Sequence, residues 1–166
     1  MAQAIASHFI PTKILVPVDF SSSSDAALET ASDLALHFHA ELYLLNVIPM
    51  LPTGTKTVSF PETEYLHEAE DNAERQLATC DAGLVSKGIK ASSSIEIGND
   101  VVGNIMLAIE RERIDMIVIS THGISGWRPL VFGSIAEKVV KQMQCPLPLL
   151  RSVEPAATCA APTPQS

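Results

Sequence analysis

The chain is short of several things, and each shortage removes a class of function. Basic residues are few: 11 Lys and Arg stand against 19 Asp and Glu, a formal net charge of −8. Non-specific nucleic-acid binding needs a basic footprint that releases counterions, so that class is set aside. A field of this sign does not draw in anionic ligands either. A phosphate site here must act locally, which screening beyond about 8 Å in physiological salt permits. Long hydrophobic runs are missing, the apolar stretches being of strand length rather than the roughly 20 residues of a membrane-spanning helix. The start, MAQAIASHFIPTK, lacks a basic segment followed by an apolar one and therefore reads as cytoplasmic. Cysteine is scarce: Cys80, Cys145 and Cys159 are odd in number, widely spaced and form no C-x-x-C pair, which favours neither disulfides nor zinc.

Nucleotide and hydrolase motifs are also lacking. A Walker A loop, G-x-x-x-x-G-K-[ST], has no counterpart because no lysine stands in the required place. After the first apolar run, where a Rossmann G-x-G-x-x-G would lie, the chain reads Asp19-Phe-Ser-Ser-Ser-Ser. Gly123-Ile-Ser-Gly126 approaches a nucleophile elbow, but G-x-S-x-G needs glycine where Trp127 stands. His37 and His39 lie two apart on a helix and diverge, so they do not pair on a metal. His8 and His67 have no company, Glu110 and Glu112 read as a solvated helix end, and Trp127 reads as a packing residue. No metal site is legible.

What is present is a sizeable core. With 46% hydrophobic and 18% charged residues, 166 residues suit one domain. Residues 1–12 read as an irregular lead-in, 13–151 as the domain, and the Pro/Ala-rich 152–166 as a disordered tail. Lys13–Asp19 is a nearly continuous apolar run, as in a strand buried on both faces; Pro17 should end its regular pairing. The cap-rich Asp19–Asp25 opens a helix with Ala27, Ala31, Leu34 and Phe38 on one face. Glu41–Ile48 is a second strand, and 49–61 a loop with three prolines. A long helix carries Leu66, Ala69, Ala73, Leu77, Cys80 and Leu84, with Gly88 beyond its end. Lys90–Ile97 is a third strand, and Asn99 or Asp100 can cap a helix with Val102, Ile105, Met106 and Ile109 facing inward. Ile114–Ile119 is a fourth strand and 120–132 a glycine-punctuated loop. A fourth helix from near Gly133 carries Ile135, Val139 and Met143, and Cys145–Leu150 is a last strand. Such alternation predicts parallel βαβ units in a doubly wound α/β sheet. Ligands of these sheets bind outside the carboxyl ends of the strands, which directs attention to Asp19, Val47 and Ser120 and the residues that follow each.

The segment Ser120–Ser134 leaves a buried strand, crosses three glycines (Gly123, Gly126, Gly133) and ends at a helix start. Glycine lets backbone approach a ligand, and N–H groups at a helix start favour an anion. Ser134 adds a hydroxyl, and Arg128 is the loop's only cation. The same spacing also fits a plain βα turn in which Ser134 only caps the helix. His122 suits a hydrogen bond within the loop or a place near phosphate, and Asp19 suits either a helix cap or a ligand contact.

Pro17-Val-Asp19, the pattern Ser120-Thr-His-Gly123, nine residues, Gly133-Ser134, and Cys145-Pro146 leading to Arg151 together resemble the universal stress protein family over about Lys13–Arg151. The resemblance implies a five-stranded parallel sheet of order 3-2-1-4-5 with helices on both faces, of the adenine nucleotide alpha hydrolase-like type. It also implies a homodimeric stress-response protein that binds ATP or AMP, with Mg2+ as a companion to the phosphates. Pro17, Val18, Asp19 and Val47 would meet adenine and ribose. Ser120, Thr121, His122, Gly123, Ser125, Gly126 and Arg128 would wrap ribose and phosphates; Gly133, Ser134 and Ile135 would hold the phosphates. The last strand, Leu147–Arg151, would pair across the dimer. Three departures stand out: Ser120 replaces a glycine, Ile124 replaces a common cation, and Pro148 interrupts the pairing strand. Without a P-loop lysine or a water-positioning base, no enzyme is expected beyond slow ATP hydrolysis. The alternative is a homodimeric interaction module that binds no nucleotide.

Overall fold

The computed structural model describes residues 9–50, 62–120, 134–142 and 149–150. In chain order these form β1 (Lys13–Pro17), α1 (Ser22–Phe38), β2 (Glu41–Ile48), α2 (Glu62–Ser86), β3 (Ala91–Ile97) and α3 (Val101–Glu112). They continue as β4 (Met116–Ile117), β5 (Ile119–Ser120), α4 (Ser134–Gln142) and β6 (Leu149–Leu150). Every pairing is parallel, in the order β3-β2-β1-β4, with β5 paired to β6. The expected single fourth strand is thus interrupted at Val118. Counted as one strand, β4 and β5 restore the expected order 3-2-1-4-5.

Strand alternation divides the core in two. Ile14, Val16, Val18, Leu42, Leu44, Met116 and Val118 face α1 and α2 with Ala27, Ala31, Leu77 and Leu84. Leu15, Tyr43, Leu45 and Ile117 face the other way, onto Val102, Ile105 and Ala108 of α3 and Val139 of α4. Apolar residues on both faces are what a sheet covered on both sides requires. The β3 edge, with Ser92, Ser93 and Ser94, is only half-buried along most of its length.

The helix signals act as read, with corrections. Asp100 caps α3, its Oδ1 accepting from Gly103 N–H at 2.9 Å. Gly88, at φ +80°, turns the chain out of α2 into Ile89, whose N–H donates to Leu84 O at 3.0 Å. The stripe expected on α4 is shifted: Ala136 and Val139 are buried, whereas Ile135 is 39% exposed. Glu112 is not a solvated helix end. Its carboxylate accepts from Lys13 Nζ at 3.0 Å and Arg111 Nε at 3.2 Å, and the Lys13 bond above all holds its pKa below the usual value. Arg111 also donates to Glu96 and to the Tyr43 hydroxyl, which strengthens its hold on its proton. Among the described residues no helix is long and apolar enough to cross a membrane.

Candidate functional site

The strand registers fix how the expected strands lie side by side. Pairs run Lys13↔Glu41 to Pro17↔Leu45, a constant offset of 28, and Ile14↔Met116 gives an offset of 102. The β1–β2 register holds to Pro17↔Leu45, and the β1–β4 register ends at Leu15↔Ile117. Asp19 follows β1, Val47 lies near the end of β2 and Ser120 ends β5, so all three stand at carboxyl ends of parallel strands, the side on which the winding reverses between β1 and β4.

Pro17 explains why the sheet parts there. The carbonyls of Lys13 and Leu15 point toward β4, accepting from Asp115 N–H at 3.1 Å and Val118 N–H at 2.9 Å. Backbone alternation points Pro17 the same way, and proline has no N–H for the next rung. Pairing with β1 stops at Ile117, and β5 turns to β6 instead. On its other side β1 continues regularly: Pro17 stays in register with Leu45, and Val18 N–H donates to Leu45 O at 2.9 Å. Proline ends the pairing on one side only.

Beyond Pro17 the chain folds around a carboxylate. Asp19 Oδ1 accepts from Ser21 N–H at 3.1 Å and from Ser21 Oγ at 2.6 Å. Ser21 rather than Asp19 is the N-cap of α1, its Oγ accepting from Ser24 N–H at 3.2 Å. Between them Phe20 sits at φ 59°, in the left-handed region that bulky side chains avoid. The side chain of Phe20 packs against the α1–α2 core, which holds that conformation. Val18 is buried and spent on structure: its carbonyl accepts from the buried Asn46 Nδ2 at 2.8 Å.

The remaining expected residues are distributed as follows. Pro17, Val47 and Ser120 are half-buried, and Val47 stands opposite Glu96 of β3. Ser134 is the first residue of α4, and Ile135 is exposed beside it. Thr121, His122, Gly123, Ser125, Gly126, Arg128 and Gly133 lie outside the described residues, as do Ile124, Pro148, Cys145, Cys159 and the 152–166 tail. Sequence reasoning missed Phe20, Ser21 and Asn46. Asn46 carried a signal, being the one amide in the apolar run Glu41–Ile48. Phe20 carried none.

Chemically the edge offers a hydrogen-bonded carboxylate, a serine at a strand end and a break in the β1–β4 pairing. Among the described residues no group of three or more His, Cys, Asp or Glu could hold a metal ion. A separate cleft of about 220 Å³ lies between α1 and α2, lined by Asp25, Leu28, Cys80 and Leu84 among others. Burial pushes the Cys80 thiol up, with Asp25 and Asp81 adding to it, so it stays protonated at neutral pH.

Known proteins share this architecture. The chain is 28% identical over 146 residues to universal stress protein YxiE of Bacillus subtilis, covering 84% of this chain and 98% of that one. It is 29% identical to universal stress protein MJ0531 of Methanocaldococcus jannaschii, with 81% and 79% covered. The solved structure of MJ0577, from the same archaeon, superposes with a TM-score of 0.76 at 25% identity, covering 89% of this chain and all of that one. Two further matches share the fold: a universal stress protein in complex with cAMP (TM-score 0.64, 15% identity, 86% and 98% covered), and one from Archaeoglobus fulgidus in complex with dAMP (0.59, 21%, 85% and 98%). The model of the universal stress protein family matches residues 11–151, and the chain belongs to that family.

Proposed function

We propose that this chain binds an adenine nucleotide, ATP or AMP, at the carboxyl edge of the sheet and acts as a nucleotide-responsive stress or signalling dimer. The observation that carries the reading is the end of β1–β4 pairing next to Pro17, on the carboxyl side of the sheet where Asp19 follows β1, Val47 lies near the end of β2 and Ser120 ends β5. That break has the position at which open α/β sheets take ligands. Fold relatives solved with cAMP and dAMP support an adenine nucleotide as the ligand class.

In this reading Pro17, Val18, Asp19 and Val47 border adenine and ribose. Val18 contributes shape only, since its N–H and carbonyl are engaged with Leu45 and Asn46. The loop from Ser120 carries ribose and phosphates toward the start of α4, where N–H groups and the helix dipole favour negative charge. Magnesium would arrive with the phosphates. The chain works by binding, with at most slow turnover, in the cytoplasm, and dimerises through Leu147–Arg151.

The test uses the protein's own absorbance. With one Trp and two Tyr the chain absorbs weakly at 280 nm, so co-purified nucleotide raises the 260/280 ratio visibly. Heat-released ligand is then identified by chromatography, and stripped protein is titrated with ATP and AMP by calorimetry. A nucleotide-free preparation showing neither heat nor a melting shift favours the interaction module and ends this reading.

A further inference from the structure

Asp19 does not stand alone at the edge. Its Oδ1 takes two hydrogen bonds from a single residue, the Ser21 N–H at 3.1 Å and the Ser21 hydroxyl at 2.6 Å. A hydroxyl that donates at 2.6 Å to a carboxylate makes a charge-assisted bond of the stronger kind. The same hydroxyl oxygen accepts from Ser24 N–H at 3.2 Å, which is compatible with its proton pointing at Asp19. Ser21 is further fixed from behind: its carbonyl accepts from Asp25 N–H at 2.9 Å and from Ser24 Oγ at 3.0 Å. Phe20, between the two, adopts φ 59°. An ordinary N-cap needs none of this, since Ser at the cap requires only its acceptor.

We infer that Ser21 is a positioning residue for nucleotide binding, locking the Asp19 carboxylate into one rotamer through its hydroxyl while the same oxygen caps α1. The inference rests on Asp19 being a ligand contact, as proposed above. A carboxylate locked before the ligand arrives loses little side-chain freedom on binding. The relay Asp19–Ser21–Ser24 also ties occupancy of the site to the first turn of α1.

Two roles of one hydroxyl are separable by substitution. Ser21→Thr keeps donor and acceptor. Ser21→Ala removes both. Ser21→Asp keeps a good cap acceptor for Ser24 N–H but cannot donate to Asp19 and sets a like charge beside it. Calorimetric titration with ATP should show Ser21→Thr within about threefold of the native chain, and both Ser21→Ala and Ser21→Asp weaker by about tenfold or more. Thermal melting should drop more for Ser21→Ala than for Ser21→Asp, because only the former loses the cap. Equal ATP affinity in Ser21→Asp and the native chain would overturn the inference and leave Ser21 a cap. If the native chain binds no adenine nucleotide, the binding proposal falls by itself. The lock is then read from Asp19 χ1 couplings by NMR: one rotamer in the native chain and Ser21→Thr, averaging in Ser21→Asp. Couplings that match across all of them would overturn the lock regardless of ligand.

Discussion

At the amino ends of the strands, Asp115 gathers three hydrogen bonds from Thr12 N–H, Thr12 Oγ and Lys13 N–H, at 2.8, 2.6 and 3.1 Å. These bonds tie the start of β1 to the start of β4. At the carboxyl ends the same strands separate at Pro17, and the carboxylate there, Asp19, is held by Ser21 two residues away. One carboxylate joins two strands; the other takes two hydrogen bonds from a residue of its own turn. The first arrangement closes the sheet, and the second stands beside the break in its pairing. The difference teaches where to look for stability and where to look for binding, and it can be broken by experiment.

The largest effect should follow Asp19→Ala. Losing charge-assisted contacts to the ligand predicts ATP binding weaker by on the order of 30- to 100-fold, with a small change in melting temperature. Affinity that survives the substitution would place Asp19 with the scaffold and dissolve the contrast between the two edges. Asp115→Ala should do the opposite. Three hydrogen bonds to one half-exposed carboxylate predict a loss of about 2 kcal/mol in unfolding free energy, a fall of roughly 5 °C in Tm. Nucleotide affinity should stay within about twofold. Calorimetric melts and titrations on both variants measure the two quantities side by side; a crossed result, with Asp115→Ala weakening ATP, would show that the edges are coupled.

Pro17→Ala sharpens the comparison at the point of divergence. The N–H it introduces faces Val118 and can continue the β1–β4 ladder by one rung. Hydrogen exchange should show this new amide protected, and ATP affinity should fall by about threefold as the break in pairing closes. Against the added rung stands the freer unfolded chain that alanine brings, a cost of about 0.4–1 kcal/mol, so net stability should barely move. Rapid exchange of the new amide would mean that something other than the missing donor parts the strands.

Much of this fold was legible because strands covered on both faces carry apolar residues throughout, as Lys13–Pro17 and Glu41–Ile48 do. Helix ends were legible where a side chain closes the end locally, as Asp100 does for α3, or where glycine supplies the turn, as Gly88 does after α2. Legibility failed where the outcome depends on a neighbour. Pro17 announces a lost donor, but which partner loses it depends on the direction of the peptide. Val139 is buried as its spacing suggests, yet α4 turns Ala136 inward beside it rather than Ile135. Asp19 and Ser21 compete for the same cap, and the choice falls to Ser21 once core packing fixes Phe20 at positive φ. The site's three strand tips could be named because ligands sit at carboxyl ends; the lock on Asp19 could not, since a left-handed phenylalanine leaves no mark in the sequence.

The smallest effect concerns pH and belongs to the amino edge. Glu112 joins the end of α3 to Lys13 at 3.0 Å, and this hydrogen bond, with help from Arg111, holds its carboxyl below the ordinary 4.5 while burial works against it. A carboxyl whose folded pKa is depressed binds its proton more readily when unfolded. Its contribution is therefore full above the ordinary value and drains away as pH falls through the folded one. Glu112→Gln should then unfold slightly more easily than the native chain by a constant margin above about pH 6, the margin closing below 4.5. Because the pair lies near solvent, roughly 1 M salt should shrink the margin as well. No such titration should appear in ATP affinity across the same range in Glu112→Gln relative to the native chain. Were the margin to follow ATP affinity instead, the amino-edge ion pair would be acting on the opposite edge through β1, and the division of labour between the two ends of that strand would have to be given up.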